Sequence, residues 1–300
     1  MSFELGQELA IKGRIARNEP MARHTTWRIG GPADLFVEPW GVDDLTCVLE
    51  FVRRHNLPLT VIGNGSNVLV GDGGIRGVVV KIGHGMSRIK VEGTSIRAEA
   101  GAKLAQVESA ALKAGLGGLE FAVGIPASIG GAVLMNAGAN GRSIGELVDQ
   151  VTIVYYDGRL CRKSSKECAF GYRHSQLQME PAIVVEAILQ CYPKSQNLIR
   201  EEMNTYMQKR KNTQPLEYPS AGSVFKNPPG DAAGRLIDLA GAKGMSVGGA
   251  QVSEKHANFI INRGTATARD VRELIAKVRA LVKEKFNVDL ELEVRLLGEH

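Results

Sequence analysis

Two glycine-rich segments of the sequence could bind an anionic group. The first has the sequence GNGSNV over residues 63–68 and follows a short apolar run, 59–62, that predicts a strand. Its glycines permit positive φ, so that successive backbone N–H groups can point at one anion. Val68 stands where the dinucleotide-binding fingerprint has its third glycine, and the GxxxxGKS/T pattern of a P-loop is absent. The segment is compatible with phosphate binding and equally with a tight structural turn.

The second glycine-rich segment, GIPASIGGA, covers residues 124–132 and is followed by NAGA at 136–139. Pro126 fixes one φ angle, and Gly130 and Gly131 leave room for a close ligand. A helix that begins after Pro126 could point its N-terminal amides at a pyrophosphate. The alternative is a sharp chain crossing in the core. Two such segments in one chain favour a ligand over two independent turns.

A third segment, AGSVFKNP at 221–228, contains a candidate hydroxyl group in Ser223. Ser223 lacks the GxSxG context of a hydrolase nucleophile, and no His or Asp spacing indicates a catalytic triad. A serine beside a glycine is ordinarily a turn residue, so these residues alone favour a structural role for Ser223.

Helices and strands that could position these segments follow from the hydropathy pattern. Gly115 is a good helix C-cap, and Thr267 with Asp270 resembles a capping box. In the last predicted strand Leu290, Leu292, Val294 and Leu296 alternate inward, which places Glu293 on the other face. The pattern predicts helices at 43–56, 103–114, 198–211, 232–240 and 268–286, and strands at 59–62, 78–82, 95–100, 151–156, 183–191, 258–262 and 289–297.

Composition and charge exclude several classes of protein. The net charge of +5 and the pI near 9.0 suit an anionic small ligand, but dispersed basic residues without an aromatic ladder argue against nucleic acid. Four cysteines without CxxC and six histidines without HExxH predict no metal site. The N-terminus lacks the apolar core of a signal peptide, and no apolar run is long enough to span a membrane. We therefore expect a cytoplasmic protein with reduced thiols.

The segments HTTWRIGG at 24–31, GNGSNVL at 63–69 and GIPASIGGAVLMNAGAN at 124–140 together resemble the UDP-N-acetylenolpyruvoylglucosamine reductase family. The resemblance runs from about residue 20 to residue 298. It implies an α+β protein with a two-part FAD-binding fold of the vanillyl-alcohol oxidase/PCMH type at 1–193, with subdomains at about 1–80 and 81–193. A smaller α+β substrate-binding domain follows at 197–300, and its last residues are expected to pack back on the first domain.

The resemblance also implies cofactors and a reaction. The chain would bind FAD non-covalently and act as a monomer that reduces UDP-N-acetylglucosamine enolpyruvate with NADPH, which gives UDP-N-acetylmuramate for peptidoglycan synthesis. The segment between Arg173 and Lys211 is short, as in the subclass without an extra tyrosine loop. The implied FAD contacts are Gly63, Asn64, Gly65, Ser66, Asn67, Gly124, Ile125, Pro126, Ser128, Gly130, Gly131 and Ala132.

Three residues match the catalytic set of that family, namely Ser223, Arg173 and Glu293. Hydride addition to the β-carbon of the enolpyruvyl double bond leaves negative charge on the α-carbon and carboxylate. Ser223 would donate a proton, Arg173 would hold the carboxylate with parallel donors, and Glu293 would assist enolate stabilisation. Lys211, Asn227 and His256 match positions that contact the substrate, although some members have glutamine where this chain has His256.

Other functions remain open to the sequence. A related flavoprotein oxidase would share the glycine-rich segments but has no reason to contain AGSVFKNP and EVR. A regulator that binds nucleotide sugars would keep those segments but could lose Ser223, Arg173 or Glu293, and all three are present. A nucleic-acid-binding module is motivated only by the basic pI.

Overall fold

The computed structural model describes residues 9–300. Its strands are β1 (Arg14–Pro20), β2 (Pro32–Glu38), β3 (Leu59–Ile62), β4 (Val68–Val70), β5 (Ile75–Lys81), β6 (Ile89–Glu92), β7 (Ser95–Glu99), β8 (Leu116–Gly117), β9 (Gly138–Ala139), β10 (Arg142–Ser143), β11 (Val148–Tyr155), β12 (Leu160–Ser164), β13 (Ala182–Gln190), β14 (Tyr192–Pro193), β15 (Ser246–Val247), β16 (Ala250–Val252), β17 (Ile260–Asn262) and β18 (Arg295–Leu297).

The α-helices are α1 (Val42–Arg54), α2 (Leu104–Ala114), α3 (Ile129–Leu134), α4 (Ser165–Cys168), α5 (Gln196–Thr213), α6 (Ala233–Leu239) and α7 (Ala268–Phe286). Short 3-10 turns cover Met21–His24, His84–Met86, Glu120–Ala122, Ile144–Glu146 and Gln176–Met179. No helix of residues 9–300 is both long enough and apolar enough to cross a membrane.

The chain forms two compact units, and each takes three separate segments of sequence. The larger unit contains the described residues up to Arg17, together with Leu35–Asn64 and Gly77–Gln208. The smaller unit contains Asn18–Asp34, Gly65–Arg76 and Lys209–His300. Parts of the segment assigned to the FAD-binding domain by the sequence thus lie in the smaller unit, and the domain bounds at 193 and 197 stay a prediction.

The larger unit is built around an antiparallel sheet of five strands in the order β12-β11-β13-β7-β6. Strands β3 and β5 pair in parallel within the same unit. Helix α1 buries Leu45, Val48 and Leu49 in the core that the sheet also enters, as its apolar spacing predicts. Helix α2 ends at Gly115, whose φ of 66° lies in the left-handed region, which confirms the predicted C-cap.

In the smaller unit, α7 is fixed at its N-terminus by side chains. The Thr267 hydroxyl accepts a hydrogen bond from the Asp270 N–H, which confirms the predicted capping box. The Asp72 carboxylate also accepts the N–H groups of Ala268 at 2.8 Å and Arg269 at 3.0 Å. The apolar face of α7 enters the core of this unit, together with residues of the sheet β15-β16-β17.

The HTTWRIGG segment contributes the largest side chain of that core. Trp27 is fully buried, and its Nε1 donates to the Ile260 carbonyl at 2.8 Å. The Asn262 side-chain amide donates a hydrogen bond to the Trp27 carbonyl at 3.0 Å. Trp27 therefore joins the segment to β17, which its place in the sequence does not indicate.

The prediction of a final strand at 289–297 is wrong in its length and in the inward orientation of Leu296. Only Arg295–Leu297 form a strand, which pairs in parallel with β4, and Leu296 is 40% exposed. Residues 291–293 instead make isolated hydrogen bonds to an irregular segment. The Lys226 N–H donates to the Glu291 carbonyl, and the Glu293 N–H donates to the Val224 carbonyl, both at 2.8 Å. The alternation of Leu290 and Val294 inward holds, since both are buried.

Candidate functional site

In the larger unit, the first residues of the GNGSNV segment lie beside the second glycine-rich segment. The Asn64 amide donates to the Pro126 carbonyl at 2.6 Å. A Cβ atom placed on Gly63 would lie 2.3 Å from the Ser128 hydroxyl oxygen, so only glycine fits there. These contacts bring together two segments whose bonded residues, Asn64 and Pro126, are 62 positions apart in the sequence, as a shared anion site requires.

Ser128 presents a buried hydroxyl at this meeting point. The residue is 4% exposed, and its Oγ has no hydrogen-bond partner among residues 9–300. It precedes α3 but does not cap the helix with its side chain. A buried hydroxyl without a partner costs about 1–3 kcal/mol, which favours a role in binding a ligand oxygen. A Cβ on Gly131 would lie 3.6 Å from this Oγ, so Gly131 faces the same space.

Gly130 has a different role from Gly131. Its N–H donates to the Ala100 carbonyl at 2.8 Å, and a Cβ on it would lie 2.8 Å from the Ala100 Cβ. The Ile129 N–H likewise donates to the Ala102 carbonyl at 2.8 Å. The missing side chain of Gly130 is therefore explained by close packing of α3 on Ala100, whereas Gly131 is the member of the pair that leaves space.

The rest of the first glycine-rich segment belongs to the smaller unit. Gly65 has a φ of 65°, and a Cβ on it would lie 1.9 Å from the His24 carbonyl oxygen. Its carbonyl accepts the Thr26 N–H at 3.1 Å. Gly65 is thus required by the HTTWRIGG segment, which explains why the two motifs occur in one sequence.

Asn67 links that segment to a predicted catalytic residue. Its amide donates to the Glu293 carbonyl at 3.0 Å, and its own carbonyl accepts the Arg295 N–H at 3.0 Å. The backbone of Glu293 is therefore held on both sides, because its N–H also donates to the Val224 carbonyl at 2.8 Å. A predicted cofactor residue, Asn67, and Glu293 are neighbours in one unit.

Ser223 lies on the segment that pairs with Glu293. It follows Gly222, whose φ is 75°, and precedes Val224, which bonds to Glu293. On its other side Ser223 forms an isolated antiparallel bridge with Phe259. The structure thus brings Ser223 and Glu293 onto adjacent extended segments of the smaller unit.

Asn258 fixes the segment that carries Ser223, and the sequence analysis assigned no role to its side chain. The residue is buried, its Oδ1 accepts the Phe225 N–H at 3.0 Å, and its Nδ2 donates to the Phe225 carbonyl at 2.8 Å. Its carbonyl also accepts the Val224 N–H at 2.8 Å. The only signal in the sequence is an amide residue at the start of an apolar run, which is too common to be specific.

Arg173 lies in the larger unit, on a two-residue turn between Gly171 and His174. The N–H of each end residue donates to the carbonyl of the other, at 3.0 and 3.1 Å. Arg173 has a φ of 53°, and its guanidinium donates to the Gly138 carbonyl at 3.2 Å. The guanidinium carbon also lies 5.4 Å from the centre of the Tyr172 ring. The arginine is thus tied to the NAGA segment that follows α3.

The three predicted substrate contacts all lie in the smaller unit. Lys211 is exposed near the end of α5, and its carbonyl accepts the Lys255 ammonium at 2.5 Å. The Asn227 side chain accepts the Ala233 N–H at 3.0 Å, so it caps the start of α6. His256 is half-buried, with its ring 4.7 Å from that of Phe259. Burial lowers the pKa of His256, which favours a neutral ring at pH 7.

The chain matches family models over most of its length. Residues 33–164 match a model described as FAD binding domain, and residues 214–297 match the C-terminal domain of UDP-N-acetylenolpyruvoylglucosamine reductase. The reductase of Moorella thermoacetica is 51% identical over 292 residues, which are 97% of this chain and 96% of that protein. The reductase of Desulforamulus reducens is 50% identical over 289 residues, 96% of this chain and 95% of that one.

Solved structures agree with these matches. The crystal structure of UDP-N-acetylenolpyruvylglucosamine reductase from Thermus caldophilus has a TM-score of 0.83 at 35% identity, over 96% of this chain and all of that one. BBE-like 1 from Physcomitrella patens has a TM-score of 0.51 at 17% identity, over 63% of this chain and 44% of that one, and shows the fold alone.

The fold and the matched FAD-binding domain define an α+β flavoprotein of the two-part FAD-binding type, an oxidoreductase whose cofactor is FAD. Within that class, the sequence identity of 50–51% to the two reductases, over 96–97% of this chain, shows the family. The chain belongs to the UDP-N-acetylenolpyruvoylglucosamine reductases.

Proposed function

We propose that this enzyme reduces UDP-N-acetylglucosamine enolpyruvate to UDP-N-acetylmuramate with NADPH, as a step in peptidoglycan precursor synthesis. The observation that carries the proposal is the pairing of the Ser223 and Glu293 segments, through the 2.8 Å bond from the Glu293 N–H to the Val224 carbonyl. This pairing supports the proposal, because Ser223, the proposed proton donor, and Glu293 are carried by neighbouring extended segments within the matched C-terminal domain.

The residues around Ser128 fit the FAD that the family requires. Ser128 offers a buried hydroxyl that has no hydrogen-bond partner within residues 9–300, and Gly63 and Gly131 keep the space beside it open. The Asn64 bond to Pro126 fixes one side of this space. We assign these residues, with Gly124, Ile125, Pro126 and Ala132, to FAD binding, and Gly130 contributes by letting α3 pack on Ala100. Gly65, Ser66 and Asn67 are assigned to FAD binding as well. When bound, FAD would supply hydride chemistry for reduction of the enolpyruvyl double bond, with NADPH as the source of the hydride.

The protein's own residues then handle the charge and the proton. Arg173 offers a guanidinium whose parallel donors match the substrate carboxylate, where negative charge increases during the reaction. Ser223 donates a proton to the α-carbon, and Glu293 assists the stabilisation of the enolate. Serine is a weak acid, so its alignment matters. Asn258 contributes to that alignment by fixing the backbone after Ser223, and Gly222 permits the turn before it.

Substrate binding is assigned to residues of the smaller unit. Lys211 and His256 would contact the substrate, and Asn227 would contact its diphosphate. The neutral His256 ring can donate from one nitrogen while the other accepts the Asn258 N–H at 3.3 Å. The Asn227 Oδ1 accepts the Ala233 N–H at the start of α6. A side-chain amide also carries an NH₂ group, which is the kind of donor that suits a phosphate oxygen.

The reductase is favoured over a flavoprotein oxidase by the match at 214–297, because an oxidase would share the FAD-binding domain alone. The test is anaerobic NADPH consumption by the FAD-loaded protein, with and without UDP-N-acetylglucosamine enolpyruvate. We expect sustained turnover only with the enolpyruvyl sugar. A flavin-loaded protein that shows no substrate-dependent turnover would contradict the proposed reaction and leave the fold unaffected.

A further inference from the structure

The turn that carries Arg173 has an unusual backbone for its sequence. Gly171 and His174 close the turn, and of the two residues between them only Arg173 has a positive φ. This is the pattern of a type II turn, whose third residue is ordinarily glycine or asparagine because other side chains are strained there. An arginine in this position persists only when the surroundings hold it in place.

Gln178 supplies such a hold from outside the turn. Its Nε2 donates to the Arg173 carbonyl at 3.3 Å and to the Leu134 carbonyl at 3.0 Å. Leu134 is the last residue of α3, so its carbonyl belongs to the group that a helix end leaves without an internal partner. One amide therefore ties the strained residue to the end of the helix that begins beside Ser128.

Two other side chains form hydrogen bonds beside this turn without contacting the Arg173 carbonyl. The amide of Asn136, a buried residue, donates to the Gly171 carbonyl at 2.7 Å. The hydroxyl of Ser175, also buried, donates to the Leu134 carbonyl at 2.6 Å. Ser175 thus shares an acceptor with Gln178, but its side-chain bond does not reach Arg173.

We propose that Gln178 is a positioning residue for Arg173, which it holds in the conformation that presents the guanidinium to the substrate carboxylate. The inference rests on the proposed role of Arg173. Its consequence is specific, because loss of the Gln178 donors should impair the half-reaction in which the carboxylate is bound and should spare reduction of the flavin by NADPH.

The test measures the two half-reactions separately in Gln178→Met, by stopped-flow absorbance of the flavin. We expect flavin reduction by NADPH at the wild-type rate and reoxidation by the enolpyruvyl sugar slowed by roughly 10–100-fold, since a misplaced catalytic group of this kind can cost about 10²-fold. The matched control is Ser175→Ala, which removes a buried bond to the same Leu134 carbonyl and should leave reoxidation at the wild-type rate. If Gln178→Met does not fold, Gln178→Glu, measured at a pH at which the carboxyl is ionised, keeps the volume and removes the donors.

A double variant separates positioning from general support of the fold. If Gln178 acts through Arg173, adding Gln178→Met to Arg173→Ala slows reoxidation no further. An additive loss, or an equal loss in Ser175→Ala, overturns the inference. So does wild-type reoxidation in Gln178→Met while Arg173→Ala is slow. Wild-type reoxidation in Arg173→Ala itself instead contradicts the role proposed for Arg173.

Discussion

Ser223 and Arg173 are positioned by different kinds of backbone constraint. Before Ser223 the residue with a positive φ is a glycine, Gly222, so the turn costs little free energy. Asn258 then fixes the residues after Ser223. Arg173 is itself the strained residue and relies on side chains outside its turn. The motifs identified both residues from the sequence, but neither constraint was predictable. Each depends on a partner, Asn258 or Gln178, whose residue type alone indicates nothing.

At the residue scale, Ser223→Ala removes the proposed proton donor. We expect flavin reduction by NADPH to persist and reoxidation by the enolpyruvyl sugar to slow by about 10²–10⁴-fold, the usual contribution of general acid catalysis. Stopped-flow measurement of both half-reactions checks this, with Ser246→Ala, an exposed serine of the same unit, as the control. Wild-type reoxidation in Ser223→Ala would show that the proton comes from another group.

At the level of elements, local signals and distant pairing differ in what a sequence can predict. The predicted helix at 268–286 and strand at 59–62 agree with the structure residue for residue, because caps and apolar spacing lie within the element. The last strand was predicted six residues too early, since its pairing depends on β4 and on where the segment 224–226 lies. Alternating hydrophobicity indicates an extended backbone, but it does not indicate which strand that backbone pairs with.

The start of α7 offers a test of one such distant contact. Asp72→Ala removes the carboxylate that accepts two N–H groups at the helix N-terminus. We expect the free energy of unfolding to fall by about 0.5–2 kcal/mol, as for other lost N-terminal caps. Urea denaturation measures it, and Glu284→Ala on the exposed C-terminal part of the same helix should have a smaller effect. Equal losses in both variants would contradict a capping role for Asp72.

A buried ion pair gives the larger unit a predictable response to pH. The Glu120 carboxylate accepts the Gly118 N–H at 2.7 Å and the Lys194 ammonium at 2.9 Å, and Lys194 also pairs with Glu202. Burial pushes the pKa of Glu120 up, but the bonds from Lys194 and from backbone N–H groups outweigh it, so that the pKa lies below its ordinary value. Stability from this group is therefore present above the unfolded pKa of about 4.3 and is lost as the pH falls through the folded pKa.

Glu120→Gln should lower the free energy of unfolding by about 1–3 kcal/mol at neutral pH, because Lys194 loses a charged partner. The difference from the wild type should shrink as the pH falls below about 4.3. Urea unfolding at several pH values measures this, with Glu201→Gln on the exposed face of α5 as the control. A difference that stays constant down to low pH would show that the ionised carboxylate contributes nothing.

For the molecule as a whole, the family and the fold class followed from motifs, whereas the division into units did not. The sequence places one boundary near residues 193–197, but the chain passes between the two compact units several times. Motifs report on residues that are close in sequence. The partners of Trp27, Ile260 and Asn262, are more than 200 residues away, so no local pattern assigns Trp27 to the smaller unit.

This division predicts that the C-terminal segment does not fold alone. A fragment of residues 209–300 lacks Trp27 from its core and lacks β4, the partner of β18. We expect no cooperative thermal transition for the fragment by circular dichroism, and a cooperative one for the intact chain. A sharp transition of the fragment would show that its own residues suffice for a core.

The pairing of β4 with β18 also limits how early in translation the smaller unit can fold. Arg295 pairs with Val68 and lies 227 positions after it in the chain. At about 5–20 residues per second, the ribosome needs roughly 10–45 s to deliver the second strand after the first. Throughout that interval the nascent chain carries β4 without its native neighbour, and an unpaired strand edge is a template for association with other chains. The smaller unit can therefore be completed only late in translation, and until then its early segments include a strand without its native partner.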